Sequence, residues 1–340
     1  MQEIPDLRFP CTGAAFFVIF HSTKVKIKEG GMYMKKKLKI VLSILLAAGI
    51  LAGCGGNAAS PEKKPESVPA KTEESVKEEA VSKEAEPEEN VRCEEIWFHN
   101  GEKKIFAQMY LPEEESDKYP AIVISHGFNG SYTDNIDRAK LFASKGYAAV
   151  VFDFCGGGRS SKSDGSMVEM SVLTEAQDLN AIIDEMLAMD NIDAENFFLL
   201  GASQGGFISS YVAAQRPDDI KALMLLFPAY ALQDDCWARH GSIENIPETE
   251  SFMNNTLGAI YSRDAMSFDI YDVIGDYKGD VMIHHGDKDE VVALSYSEKA
   301  AEVYEHAELK VIKGAGHGFH GKHLTESNES LVAFLEAHTN

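Results

Sequence analysis

The pentapeptide Gly201-Ala202-Ser203-Gln204-Gly205 restricts this chain more than any other stretch of it. The apolar run Phe197 to Leu200 precedes it, and the helical pattern Phe207 to Ala214 follows. A serine between a strand and a helix must turn sharply to expose its hydroxyl. Glycines two residues to either side remove the Cβ atoms that would collide in such a turn. The surrounding chain is therefore expected to be a sheet whose strands run directly into helices.

The rest of the sequence agrees with that expectation. From Cys93 onward short apolar runs alternate with amphipathic stretches, the pattern of a mainly parallel sheet with crossover helices. Glu94 to His99 and Lys104 to Leu111 predict a hairpin turning at Asn100-Gly101. Buried strands are predicted at Ala121–Ser125, Ala148–Phe152, Phe197–Gly201, Ala222–Phe227, Val281–His285 and Leu309–Ile312. Helices are predicted at Asn135–Lys145, Leu173–Met189, Gly206–Gln215, Leu294–Tyr304 and Leu324–His338. This is an α/β domain over residues 93–340 with about eight strands, mostly parallel and flanked by helices. After the sixth strand about fifty residues intervene before the next, far more than a crossover needs. They predict an inserted cap over about residues 230–276, with Trp237, Phe252, Tyr261 and Phe268 as candidates for covering a cleft.

A serine hydroxyl is a weak nucleophile near neutral pH, so a base must take its proton and a carboxylate must hold the base. In a sheet of this kind the acid follows a late strand and the histidine follows the last one. Asp289, in Gly286-Asp287-Lys288-Asp289, is the candidate acid, with Asp287 as a turn-forming competitor. His317, between Gly316 and Gly318, is the candidate base, with His320 and His323 nearer the following helix. Acyl transfer also needs donors for an oxyanion. The backbone N–H groups of Gln204 and of Phe128, in His126-Gly127-Phe128, are the candidates. His126 competes as a base, but its place at a strand end before glycine points to shaping the loop. Gly156-Gly157-Gly158-Arg159 lacks both nucleotide-binding spacings and is expected to border the cleft, with Arg159 solvated or touching Asp153 or Asp164. No cofactor is implied, and the Asp and His residues lack metal-ligand spacing.

The N-terminal part has a different character. Lys35, Lys36, Lys37 and Lys39 precede the apolar run Ile40 to Leu51, which is too short for a comfortable membrane span. It ends in Leu51-Ala52-Gly53-Cys54, which looks like a bacterial lipobox with Cys54 as the lipidated residue. On this reading residues 1–33 are an upstream start-site extension, with Met32 or Met34 as the start, and residues 34–53 are a lipoprotein signal. Residues 54–92, rich in Pro, Glu, Lys, Ser and Ala, are expected to be a disordered tether. The net charge of −22 argues against a nucleic-acid partner. Cys93, Cys155 and Cys236 show no disulfide framework or zinc spacing, although an exported protein leaves one bridge among them open.

With these elements in place, the chain from about Cys93 resembles the α/β-hydrolase superfamily and, within it, bacterial feruloyl and cinnamoyl esterases. The matching pieces are His126-Gly127-Phe128, Ser163-Asp164-Gly165, Ser203-Gln204-Gly205-Gly206, His285 through Val292, and Gly314 to Phe319. Those esterases often carry Gly-His-Gly before the Ser-Asp-Gly element, where this chain has Cys155 and the triglycine with a longer spacer. The resemblance implies oxyanion donation by the amides of Phe128 and Gln204, and a cap that contacts the acyl group. The expected protein is thus a lipid-anchored, extracytoplasmic serine hydrolase that cleaves small carboxylic esters, hydroxycinnamates among them, through an acyl-enzyme. Two rival readings stand beside it. One is a prolyl-iminopeptidase-type peptidase using Glu244, Glu248 or Glu250 for a substrate amine, and the other is a non-catalytic lipid-anchored binding protein.

Overall fold

The computed structural model describes residues 91–340; the expected signal, Cys54 and the tether lie outside them, except that Val91 and Arg92 open the first strand by pairing with Pro112 and Leu111. Strand β1 (Val91–Asn100) and β2 (Lys103–Pro112) form the expected hairpin. The chain continues through β3 (Tyr119–Ser125), α1 (Ile136–Ser144), β4 (Ala148–Phe152), α2 (Val172–Leu187), β5 (Ile192–Ala202), α3 (Gln204–Gln215) and β6 (Ala222–Leu226). An insertion follows, made of α4 (Leu232–His240), β7 (Thr249–Phe252), β8 (Asn255–Gly258), α5 (Ala259–Ala265) and α6 (Ile270–Ile274). The domain closes with β9 (Asp280–Gly286), α7 (Leu294–Val303), β10 (Ala307–Ile312) and α8 (Lys322–His338).

Eight strands make one sheet in the order β1-β2-β4-β3-β5-β6-β9-β10. Only the pairs that β2 makes, with β1 and β4, are antiparallel. The central strands are buried on both faces, which explains their nearly continuous apolar sequences, such as Ala148–Phe152. Successive side chains still alternate: Ala121 and Val123 of β3 join one core with α2, α3 and α7, while Ile122 and Ile124 join another with α1 and α8. Each fully buried Leu, Ile, Val or Phe contributes about 1.5–3 kcal/mol of transfer free energy, so the two cores hold the strand ends in fixed positions. Helix α2 starts at Ser171, which forms a reciprocal capping box with Thr174.

Within the insertion, β7 and β8 form a separate hairpin whose turn residues Met253 and Asn254 both have positive φ, +47° and +61°. Helix α6 packs on α3 as an ordinary crossover helix, so the part that overhangs the site ends before Ile270. Cys93, Cys155 and Cys236 are all free, and the bridge left open by the sequence is not formed. Among the described residues no helix is long and apolar enough to cross a membrane.

Candidate active site

Ser203 stands at the end of β5, where the chain reverses into α3 with φ +53° and ψ −119°. This is a conformation that costs a non-glycine residue on the order of 1–3 kcal/mol. The neighbouring glycines permit it. A Cβ at Gly201 would overlap the carbonyl of Gly205, and one at Gly205 would lie 2.5 Å from the carbonyl oxygens of Ser125 and His126. The Ser203 amide donates to Leu226 O at 2.9 Å, which fixes the turn to the neighbouring strand.

The structure brings Asp289 and His317 to this serine. His317 Nε2 lies 3.0 Å from Ser203 Oγ, and Nδ1 lies 2.8 Å from Asp289 Oδ2. The Asp289 side chain is fully buried, and its other oxygen accepts the amides of Val291 and Val292, both at 2.9 Å. A carboxylate held this way accepts the Nδ1–H of His317 and leaves Nε2 free to take a proton from the serine. Asp287 plays a structural part instead, since its Oδ1 accepts the Gly314 amide at 2.6 Å and ties the acid loop to the histidine loop. Of the two valines that donate to Asp289, Val292 is buried and Val291 is exposed at the cavity.

The two residues expected to supply oxyanion amides line the same cavity. Among the described residues neither Phe128 N–H nor Gln204 N–H has an acceptor, and both residues line the cavity with Ser203 and His317. His126 is placed as a loop former. Its Nδ1 bonds to Gly127 O at 2.7 Å and its Nε2 accepts from the Phe154 amide at 3.2 Å. Burial pushes its pKa down and keeps it neutral. The triglycine lies against this loop: Asn129 N–H donates to Gly157 O at 3.1 Å, and a Cβ at Gly158 would overlap Gly130 O. Arg159 forms no ion pair with Asp153 or Asp164, whose carboxylates instead accept backbone amides of Tyr132, Lys162 and Lys104.

The cavity holds about 480 Å³. Of the four cap candidates, Phe252 and Tyr261 line it; Trp237 and Phe268 do not. On α4 the cavity-facing positions are Leu232, Asp235 and Arg239, and Trp237 falls on roughly the opposite side of the helix, 40% exposed. Phe268 packs instead on Phe207 and Tyr211 of α3. Phe252 and Tyr261 meet Phe128 edge to face, with centroids 5.2 and 5.8 Å away, so three aromatic rings stand beside the oxyanion loop. His320 is exposed at the cavity, and His323 lies outside its lining.

Several residues of the site were not read from the sequence. Phe227, at φ +39°, places its ring 4.7 Å from the His317 ring and 5.0 Å from that of Phe319. His285 lies under Asp289, with Nε2 2.9 Å from Val292 O and 3.3 Å from Asp289 Oδ2. Both neighbours are acceptors, so Nε2 bears the proton and Nδ1 accepts from Ser297 Oγ at 2.7 Å. Glu175, on α2, accepts from Gln204 Nε2 at 2.6 Å, and Gln204 Oε1 accepts from the Tyr261 hydroxyl at 2.8 Å. Burial raises the Glu175 pKa well above the usual carboxylate range. The available signal was position: Glu175 occupies the apolar face of α2 with Val172, Leu179, Ile182 and Ile183.

A family model described as serine aminopeptidase, S33, matches residues 117–272. The solved structure of Est1E from Butyrivibrio proteoclasticus with ferulic acid bound is similar, with TM-score 0.65 and 26% identity, covering 72% of this chain and 98% of that one. The acetyltransferase component of the acetoin cleaving system of Pseudomonas putida is 22% identical over 252 residues, 64% of each chain. The mitochondrial palmitoyl-protein thioesterase ABHD10 of mouse is 26% identical over 215 residues, 57% of this chain and 67% of that protein. The chain thus spans about two thirds of the length of these relatives. By its largely parallel sheet, its strand-turn-helix serine and these similarities, the chain is an α/β hydrolase in fold.

Proposed function

We propose that this domain is a serine-dependent carboxylic ester hydrolase that works through an acyl-enzyme. The observation that carries the reading is the Ser203–His317–Asp289 relay beside two amides without acceptors, all opening on one cavity. In this reaction His317 Nε2 takes the Ser203 proton as Oγ attacks the carbonyl carbon, and the amides of Phe128 and Gln204 receive the negative oxygen. The C–O bond to the alcohol then breaks, and imidazolium returns the proton to the leaving oxygen. Water, deprotonated by the same nitrogen, releases the acid and restores Ser203. The ring cluster of Phe128, Phe252 and Tyr261, together with the similarity to an esterase structure holding ferulic acid, supports small or aromatic acyl groups such as hydroxycinnamates.

The matched family model favours a second reading, an aminopeptidase. The acidic residues expected to hold a substrate amine do not favour it. Glu244 and Glu248 are exposed, and Glu250 is engaged by Arg239, His240 and Ser262. The test compares wild type with Ser203→Ala on p-nitrophenyl butyrate, methyl ferulate and proline p-nitroanilide, with fluorophosphonate labelling in parallel. The expected outcome is ester turnover that falls by about four to six orders of magnitude in Ser203→Ala, with labelling lost. Anilide turnover well above ester turnover overturns the ester reading. Absence of both labelling and turnover in wild type revives the binding-protein reading. We also propose export and lipid anchoring at Cys54, supported by the basic front, short apolar run and lipobox of the sequence.

A further inference from the structure

Two arginines line the cavity, and their charges are treated differently. Arg239 of α4 meets Glu250, with Nε 3.3 Å from Oε2. Arg138 of α1 meets no carboxylate: among the described residues it takes part in no ion pair. It is nevertheless only 8% exposed. Its Nε donates to Asn328 Oδ1 at 3.0 Å and its Nη1 to Asn135 Oδ1 at 2.7 Å, both neutral amides. Two of the five guanidinium N–H groups are thereby used, and Nη2 has no acceptor among the described residues.

Among the described residues no carboxylate lies within ion-pair distance of it, and Asp137, the preceding residue, acts on it only from farther away. His284, close by, is pushed down to about 3, first by burial and then by the charges of Lys310 and Arg138, so it stays neutral. Asp134 lines the cavity but turns Oδ2 to the Ser131 amide at 3.1 Å. Asp235 lines the cavity from α4 without an ion pair to Arg138. A guanidinium taken out of water without a counter-charge is costly, on the order of several kcal/mol. That cost falls when an anion enters the cavity, and the planar fork of arginine matches a carboxylate in particular.

We propose that Arg138 is a carboxylate-binding subsite of this cavity, so that the preferred substrates are esters carrying a carboxylate within reach of the scissile bond. The proposal rests on the ester-hydrolase reading and adds a substrate class to it. Tying α1 to α8 through Asn328 is the purely structural alternative, and it affects all substrates alike.

The test measures kcat/KM for p-nitrophenyl butyrate, p-nitrophenyl hemisuccinate and 4-carboxyphenyl butyrate in wild type, Arg138→Met and Arg138→Lys. In Arg138→Met one of the two anionic-to-neutral ratios is expected to fall about 10- to 100-fold, the value of a charge-assisted hydrogen bond. Arg138→Lys keeps the charge but loses the fork and falls less. A drop for the hemisuccinate puts the carboxylate on the acyl side, and a drop for the carboxyphenyl ester puts it on the alcohol side. Both ratios staying within about twofold of wild type overturns the subsite while leaving the ester reading intact. A second measurement avoids any folding defect: glutarate, and not glutaramide, is expected to slow fluorophosphonate labelling of wild-type Ser203. Equal behaviour of the two compounds also overturns the proposal. Loss of labelling and of butyrate turnover in the wild type would instead remove the ester reading, and the subsite with it.

Discussion

At the residue scale, the tautomer of His317 depends on Asp289 being an acceptor. Asp289→Asn preserves shape, but its amide NH2 can face Nδ1 and shift the proton to Nε2, where it blocks the serine. We expect kcat on p-nitrophenyl butyrate to fall by about 10⁴ at neutral pH while labelling of the folded protein slows in parallel. A steady-state assay on purified variant measures this, and a loss below about tenfold contradicts the role. Ser203, Asp289 and His317 were legible because each sits at a strand end in a turn with its own glycine or acidic signature. Phe227 and His285 were not. A phenylalanine at the end of a buried strand and a histidine inside one read as core, and only the approach of β9 and the histidine loop gives them their neighbours.

At the element scale, α2 carries a carboxyl group on its packing face, and the consequence is a pH dependence with a definite sign. The folded pKa of Glu175 lies well above its ordinary value of 4.5, chiefly through burial. Between the ordinary and the raised value the unfolded chain releases the proton while the folded chain retains it, so this group lowers stability as pH rises. Glu175→Gln has no proton to hold. The melting temperature of the variant minus that of wild type is therefore expected to increase from pH 5 to pH 9, read by thermal denaturation across that range. A difference that is flat or reversed contradicts the neutral buried acid. Strands and helices were legible from the sequence because their patterns are strong, a continuous apolar run in β4 and a helical spacing of apolar residues in α2. The cap was less legible. Exposed Trp237 and packed Phe268 have the same apolar composition as the cavity-facing Phe252 and Tyr261, and composition does not encode which side of α4 or α3 a ring meets.

At the scale of the whole molecule, the proposed anchor makes a prediction separate from catalysis. In a bacterium that processes lipoproteins, the full chain is expected to incorporate labelled palmitate and partition into detergent, and Cys54→Ser is expected to do neither. Equal labelling of the two forms contradicts the lipobox. The eight-stranded sheet and the two cores on its faces are described within residues 91–340. The hydrogen bond from Tyr261 to Gln204 has a further consequence. Tyr261 belongs to α5 of the insertion and lines the cavity, and Gln204 is the first residue beyond Ser203. Displacing the tyrosine ring would leave the buried Gln204 Oε1 without its donor, so any movement of α5 carries an energetic cost at the residue beside Ser203.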